Sequence, residues 1–278
     1  MREHRTTALL LAPALMIFAA LFLAPLAYFF VISFWRKVLF AMQPDFTFAN
    51  YQQVYDQHSA TLAFTLGLAF VVAALTSVLG FIYAYIIRFK VGRWGPALLF
   101  IALITLFGGY LVKIYSWMTI LGIKGVLNTA LLALGLIDEP LPWLYYNAGA
   151  VVVTLANFSL PLAILPIYAS MRGITDIEME AARDLGAGGW RSFSDIVVPR
   201  SHVGTMAAFG LTFLLSCGDY LTPQLVGGKV NMIGVQIAAQ FGLIFNWPMG
   251  AAMSFVTLGS SSLVALIAIY VFSQWRPR

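Results

Sequence analysis

The residues of this sequence that could do chemistry lie in two places. The first is the stretch from Met171 to Val203, which holds nine charged residues in 33 positions, against 18 in the other 245. Thr175 followed by Glu178 is a capping-box pattern, in which two side chains satisfy free backbone N–H groups at a helix start. Asp176 adds negative charge where the helix dipole favours it. Gly186, Gly188 and Gly189 then end the helix, because glycine tolerates a left-handed turn. A second short helix is predicted over Trp190–Val198, with Pro199 opening the next span. On the first helix, Ala181 and Ala182 form a low ridge that another surface could approach, flanked by Glu180 and Arg183. Arg183 could equally bond locally to Asp176 or Glu180.

The second place is a pair of charges in apolar sequence, Lys113 and Asp219. Charges within a membrane are costly and tend to be functional. Asp219 could attract a cationic solute, with Tyr220, Tyr110, Trp117 and Trp247 offering aromatic faces to ammonium groups. Lys113 opposes this reading unless it is paired. It could pair with Asp219, reach the interface, or rest on the ring of Tyr110 or Trp117, which share its helix face. Asn157, between Lys113 and Asp219 in sequence, and Gln236 and Gln240, one turn apart, are further polar positions that could line a pathway or serve helix packing. Pro161 and Pro166 predict a kink in the same segment as Asn157.

Catalysis has no foothold. His4, His58 and His202 have no metal-ligand spacing, Cys217 is the sole cysteine, and no paired acids lie in apolar sequence. No phosphate-binding loop of the G-x-x-x-x-G-K-[ST] type occurs, since Gly227-Gly228-Lys229 continues with Val230.

The elements that must position these residues follow from composition. Apolar types make up 61% of the 278 residues and charged types 10%, with a mean hydropathy of +0.87. Soluble domains carry about 25% charged residues, so this is an all-α integral membrane protein. Six apolar stretches approach the roughly 20 residues a crossing helix needs: 7–35, 59–87, 96–121, 148–171, 204–221 and 250–272. Residues 232–246 are shorter and more polar, as expected of a re-entrant or interfacial helix, and 126–136 reads as an outer amphipathic tract. With both termini cytoplasmic, 11 of the 16 Lys and Arg fall inside, including Arg2, Arg5, Arg276 and Arg278. The net charge of +5 then reports topology and lipid headgroups, with no nucleic acid partner. The chain divides into an N-terminal helix and outer loop (1–60), a five-helix core (61–272) holding the loop 171–203, and a short tail (273–278).

The loop carries a more specific pattern. Glu180-Ala181-Ala182, three residues, Gly186, nine residues, then Ile196-x-x-Pro199 resembles the "EAA" motif of ABC importer permeases, with Val198 where leucine is usual. The tracts 46–51 (FTFANY), 110–117 (YLVKIYSW), 125–138 (GVLNTALLALGLID), 160–168 (LPLAILPIY), 218–228 (GDYLTPQLVGG) and 246–254 (NWPMGAAMS) resemble the polyamine branch of that family.

The resemblance implies a type I permease fold in the bacterial inner membrane. It also implies a coupling loop of Glu180, Ala181, Ala182, Arg183, Gly186, Ile196 and Pro199 that docks on an ATPase. The implied partners are two cytoplasmic ABC ATPase subunits, a second and distinct permease chain, and a periplasmic solute-binding protein. This subunit would bind no cofactor, with ATP and Mg on the ATPase. The implied solute is a polyamine such as spermidine or putrescine, or a related opine or amine. A stand-alone secondary transporter or channel is the alternative; it would need coupling-ion carboxylates deep in the spans, where Asp219 is alone.

Overall fold

The computed structural model describes residues 11–39 and 41–274. Arg2, Arg5, Arg276 and Arg278, part of the basis for placing both termini inside, lie outside them, as does His4.

Helix α1 (Leu11–Ile32) contains a π-turn at Ala19–Leu23 and leads to a small hairpin, β1 (Arg36–Val38) paired antiparallel with β2 (Ala41–Gln43). Helix α2 (Ala49–Phe89) follows, then α3 (Gly95–Ile104), α4 (Tyr110–Leu121), α5 (Val126–Ala133) and α6 (Ala148–Arg172). Beyond these lie α7 (Asp176–Asp184), α8 (Gly189–Ser192), α9 (Val198–Cys217), α10 (Leu221–Val226), α11 (Ile233–Gly242) and α12 (Trp247–Gln274).

Among the described residues, five stretches are helical, long and apolar enough to cross a membrane: α1, α2, the run Tyr110–Ala133, α6 and α12. Three expectations are corrected. The stretch 96–121 is not one helix: Gly108 turns extended after the 3₁₀ turn Thr105–Phe107, and with Gly109 separates α3 from α4. Glycine has no side chain to stabilise a helix interior, so a pair of them is a weak point. The segment predicted from residue 59 begins ten residues earlier, because Thr47 caps the Ala49 N–H and the polar run after it still favours helix. Hydropathy sees only the part that lipid would solvate.

The third concerns the second short helix predicted over Trp190–Val198: only Gly189–Ser192 is α-helix there, while Pro199 stands in the first turn of α9 as expected. The chain runs from α8 through a π-turn, Phe193–Val197, directly into α9. Proline lacks an N–H and its ring clashes with the carbonyl four residues back. The wider π-turn just before it removes that conflict.

The described chain forms two compact units, one of residues 11–60 with 236–258, the other of 61–235 with 259–274. In the first, Phe29 meets Phe241 edge-on at 6.0 Å and stacks on Trp247 at 6.2 Å, while Asn50 donates to the carbonyls of Ser33 and Trp35. In the second, α6 is the central helix. Its small residues let neighbours in: a Cβ on Gly80 of α2 would sit 3.2 Å from Ala163, and one on Gly204 of α9 would sit 2.3 Å from the Pro166 carbonyl oxygen. Such small-residue seams are how membrane helices pack, since burial from lipid supplies little driving force.

Candidate functional site

Helix α7 starts with the full capping box. The Glu178 N–H donates to Thr175 Oγ1 at 3.3 Å, and the Thr175 N–H donates to Glu178 Oε2 at 2.9 Å. The Thr175 N–H, helped by the Arg200 guanidinium, holds the Glu178 carboxyl below the usual glutamate range. The helix stops as the glycines require. Gly186 has φ +84, its N–H reaches the Arg183 carbonyl at 2.8 Å, and the Ala187 N–H reaches that of Ala182 at 2.9 Å. That pair of bonds is a Schellman cap. No atom lies within 4 Å of where a Gly186 Cβ would be, so Gly186→Trp would act through strain in the left-handed backbone.

Two arginines from other helices tie down the first half of α7. Arg88, at the end of α2, donates to the Ile174 carbonyl at 2.6 Å and to Asp176 at 2.9 Å, and Arg200 of α9 pairs with Glu178. Met179 packs onto the buried cluster of Ile167, Met171, Ile174 and Val197, where Ile196 also rests. The second half is different. Glu180 and Arg183 are exposed and make no ion pair among the described residues, so the local pairing open to Arg183 is not formed; Asp176 is taken by Arg88. Ala181 is exposed and Ala182 half-buried.

Beside them stand residues that sequence reasoning passed over. Ile177 is 77% exposed and Leu185 89%, one on each side of Ala181 at four-residue spacing, and Trp190 is 78% exposed. Ile177 and Leu185 put apolar side chains on the same face as the exposed alanine. On a charged loop outside the apolar helices, such side chains mark an interaction surface. Their signal was present, since a polar loop with Ile177 and Leu185 two turns apart on one helix face is unusual. Arg88 and Asp176 are 88 positions apart, and no local pattern joins them.

The cap has a measurable consequence. Thr175→Ala is expected to loosen α7 by about 1 kcal/mol. Hydrogen exchange at amides 176–184 should read this as roughly five-fold faster opening.

The charged pair is arranged otherwise than as an ion pair. Asp219 lies just past the end of α9, in the short link to α10, and not within a span. Its carboxylate accepts the Tyr110 hydroxyl and the Thr222 N–H, the latter at 3.2 Å, and Tyr110 also bonds Thr222 Oγ1 at 2.8 Å. No ion pair joins it to Lys113, whose buried Nζ has no hydrogen-bond partner and sits 5.2 Å over the ring of Phe158. Tyr110 packs on the same ring at 4.5 Å. Trp117 donates to Asn157 at 3.2 Å, and Tyr220 is 41% exposed. Six of the nine pathway candidates thus lie in one unit, five of them joined around α4, α6 and the α9–α10 link. Gln236, Gln240 and Trp247 belong to the other.

Comparison with known proteins bears on the chain as a whole. The family described as "Binding-protein-dependent transport system inner membrane component" matches residues 89–275. The spermidine/putrescine transport system permease protein PotB of Escherichia coli K12 is 32% identical over 233 residues, covering 83% of this chain and 82% of the relative. PotB of Haemophilus influenzae is 29% identical over 232 residues, covering 83% and 79%. The putative 2-aminoethylphosphonate permease PhnU of Salmonella paratyphi A is 27% identical over 267 residues, covering 88% and 90%. Among solved structures, a bacterial ABC transporter that imports the acidic polysaccharide alginate superposes with a TM-score of 0.71 at 14% identity, over 99% of this chain and 97% of that one. The same kind of fold matches at TM-score 0.72 and 14% identity, covering 96% of this chain and 93% of that one, in the alginate transporter crystallised with its alginate pentasaccharide-bound periplasmic protein.

Proposed function

Since the chain belongs to the binding-protein-dependent transport system inner membrane components, we propose that it works as one of two distinct permease chains driven by two cytoplasmic ATPase subunits. It is the multi-pass permease component of a bacterial inner-membrane ABC importer. In the proposed assembly, ATP and Mg are held by the ATPase subunits, and a periplasmic protein delivers the solute. The proposed topology has six crossings and both termini inside. Helix α9, at 20 residues and about 30 Å, is one of them, and α3 with α4 makes another around the Gly108-Gly109 break.

The observation that carries the ATPase reading is the division of α7. Arginines from α2 and α9 hold its first half, so a push on the helix is passed to both. One face, running from Ile177 through Ala181 to Leu185 just past its end, is left exposed to solvent. The proposal is tested by purifying the tagged chain with the products of its neighbouring genes. An ATPase should co-purify, and vesicles holding the complex should take up solute only with ATP and a loaded binding protein. Uptake by this chain alone, driven by an ion gradient, would make it a secondary transporter.

The proposed solute is a polyamine such as spermidine or putrescine, supported by the PotB relatives and by the acidic, aromatic environment of Asp219. Asp219→Asn keeps oxygen for the Thr222 N–H but removes the charge. Spermidine uptake should fall about ten-fold, the factor for ~1.4 kcal/mol. Unchanged uptake would leave Asp219 a structural cap of α10.

A further inference from the structure

Glu180 and Arg183 stand to one side of the face of α7 formed by Ile177, Ala181 and Leu185. With Asp176 and Met179, at spacings of three and four residues, they line the flank turned toward the end of α2. Between that flank and α2 lies a pocket of about 420 Å³, contained in the second compact unit. Another wall is formed by Tyr85 and Arg88 of α2 with Lys90, just past the end of that helix. The charges in the pocket are not balanced among themselves. Arg88 and Asp176 satisfy each other at 2.9 Å. Lys90, Glu180 and Arg183 are exposed and make no ion pair among the described residues. Lys90 sits over the Tyr85 ring at 5.9 Å. The unpaired charge is thus two positive groups against one negative, and the positive ones line the cavity from two different elements.

We propose that this pocket receives an acidic side chain of the ATPase, its carboxylate held between Lys90 and Arg183. The inference rests on the reading of α7 as the helix on which the ATPase docks, and it adds a second handhold. Like charges sharing one cavity repel each other, and a single carboxylate between an ammonium and a guanidinium is held by charge-assisted hydrogen bonds from both. Glu180, on the same flank as Arg183, disfavours a multiply charged anion such as a polyphosphate, so one carboxylate fits better. Glu180 also precedes Ala181 in the chain, so a partner seated on the apolar face of α7 borders the pocket. The contact would tie the ATPase to the end of α2 directly, alongside the Arg88 tie that already joins α2 to α7. A pull on either element is then shared by both.

The test treats the assembled transporter with a water-soluble carbodiimide, which couples an amine to a carboxylate in ion-pair contact and leaves no spacer. Mass spectrometry should find Lys90 joined through an amide to an aspartate or glutamate of the ATPase. Lys90→Arg keeps the charge but has no amine, so it should lose this cross-link while holding the ATPase better than Lys90→Ala. Lys90→Ala and Arg183→Ala should each weaken retention of the ATPase about ten-fold. Together they should weaken it by less than about a hundred-fold, because two groups that share one carboxylate do not act independently. Both positions are exposed, and each variant is compared at equal subunit level in the membrane. Coupling of Lys90 to Asp176 or Glu180 of its own chain would overturn the proposal. So would retention within about two-fold of wild type in both alanine variants. If Ala181→Cys still cross-links to the ATPase in that case, α7 docks it without the pocket; if it does not, the reading of α7 falls too.

Discussion

A subunit carrying Gly204→Leu is expected to be lost from the membrane, with no full-length protein recovered at wild-type level. Gly204 is where α9 crosses α6 most closely. A Cβ there would meet the Pro166 carbonyl oxygen at 2.3 Å and the Ser170 hydroxyl at 2.4 Å. A serine side chain can turn away, but a backbone carbonyl inside a helix cannot, so the helices must separate. Overpacking of this kind costs about 3 kcal/mol or more, and the seam it opens is the main contact of α9. Gly204→Ala should show the same effect more weakly. Gly67→Ala on α2, where nothing lies within 4 Å of the new carbon, should leave subunit level unchanged. Immunoblotting of membranes checks all three. Normal levels of Gly204→Leu would mean that α6 and α9 are not packed as described.

The pair Ile177→Gln with Leu185→Gln is expected to do the opposite, abolishing uptake while leaving the subunit in place. Both side chains stand in solvent in the isolated chain, and glutamine is a good helix former, so little stability is lost. The cap at Thr175 and the arginine ties are untouched. Each apolar anchor buried by a partner contributes about 1.5–3 kcal/mol, so losing both should weaken ATPase binding roughly a hundred-fold or more. Co-purification of the ATPase and ATP-driven uptake are the measurements. A change within about two-fold, the scale of an ordinary surface substitution, would remove this face of α7 from the account.

Local chemistry was legible in the sequence, and long-range pairing was not. Thr175, Glu178 and Gly186 act on backbone a few residues away, and the structure forms both the cap and the stop that they predict. Hydropathy located α6 and α12 to within a few residues, because both are apolar along their whole length. It misjudged 96–121, where the break comes from two glycines that composition counts as neutral. Pro199 does stand in the first turn of α9, while the π-turn just before it has no sequence mark. Asp219 falls within the apolar stretch 204–221, yet α9 ends at Cys217 and leaves it in the link to α10. Its partners Tyr110 and Thr222, and the placing of Lys113 on Phe158, depend on how α4, α6 and the α9–α10 link converge.

The central claim is that the exposed face of α7 is the surface on which an ATPase works, and site-directed cross-linking tests it most directly. Cys217 is buried, so a single cysteine introduced at Ala181→Cys can be modified selectively with a photoreactive maleimide in assembled membranes. The account predicts a cross-link from that position to the ATPase whose yield changes when ATP is added. Cross-linking of the ATPase from some other segment, such as the turn at residues 90–94, with Ala181→Cys labelled but unattached, would contradict it.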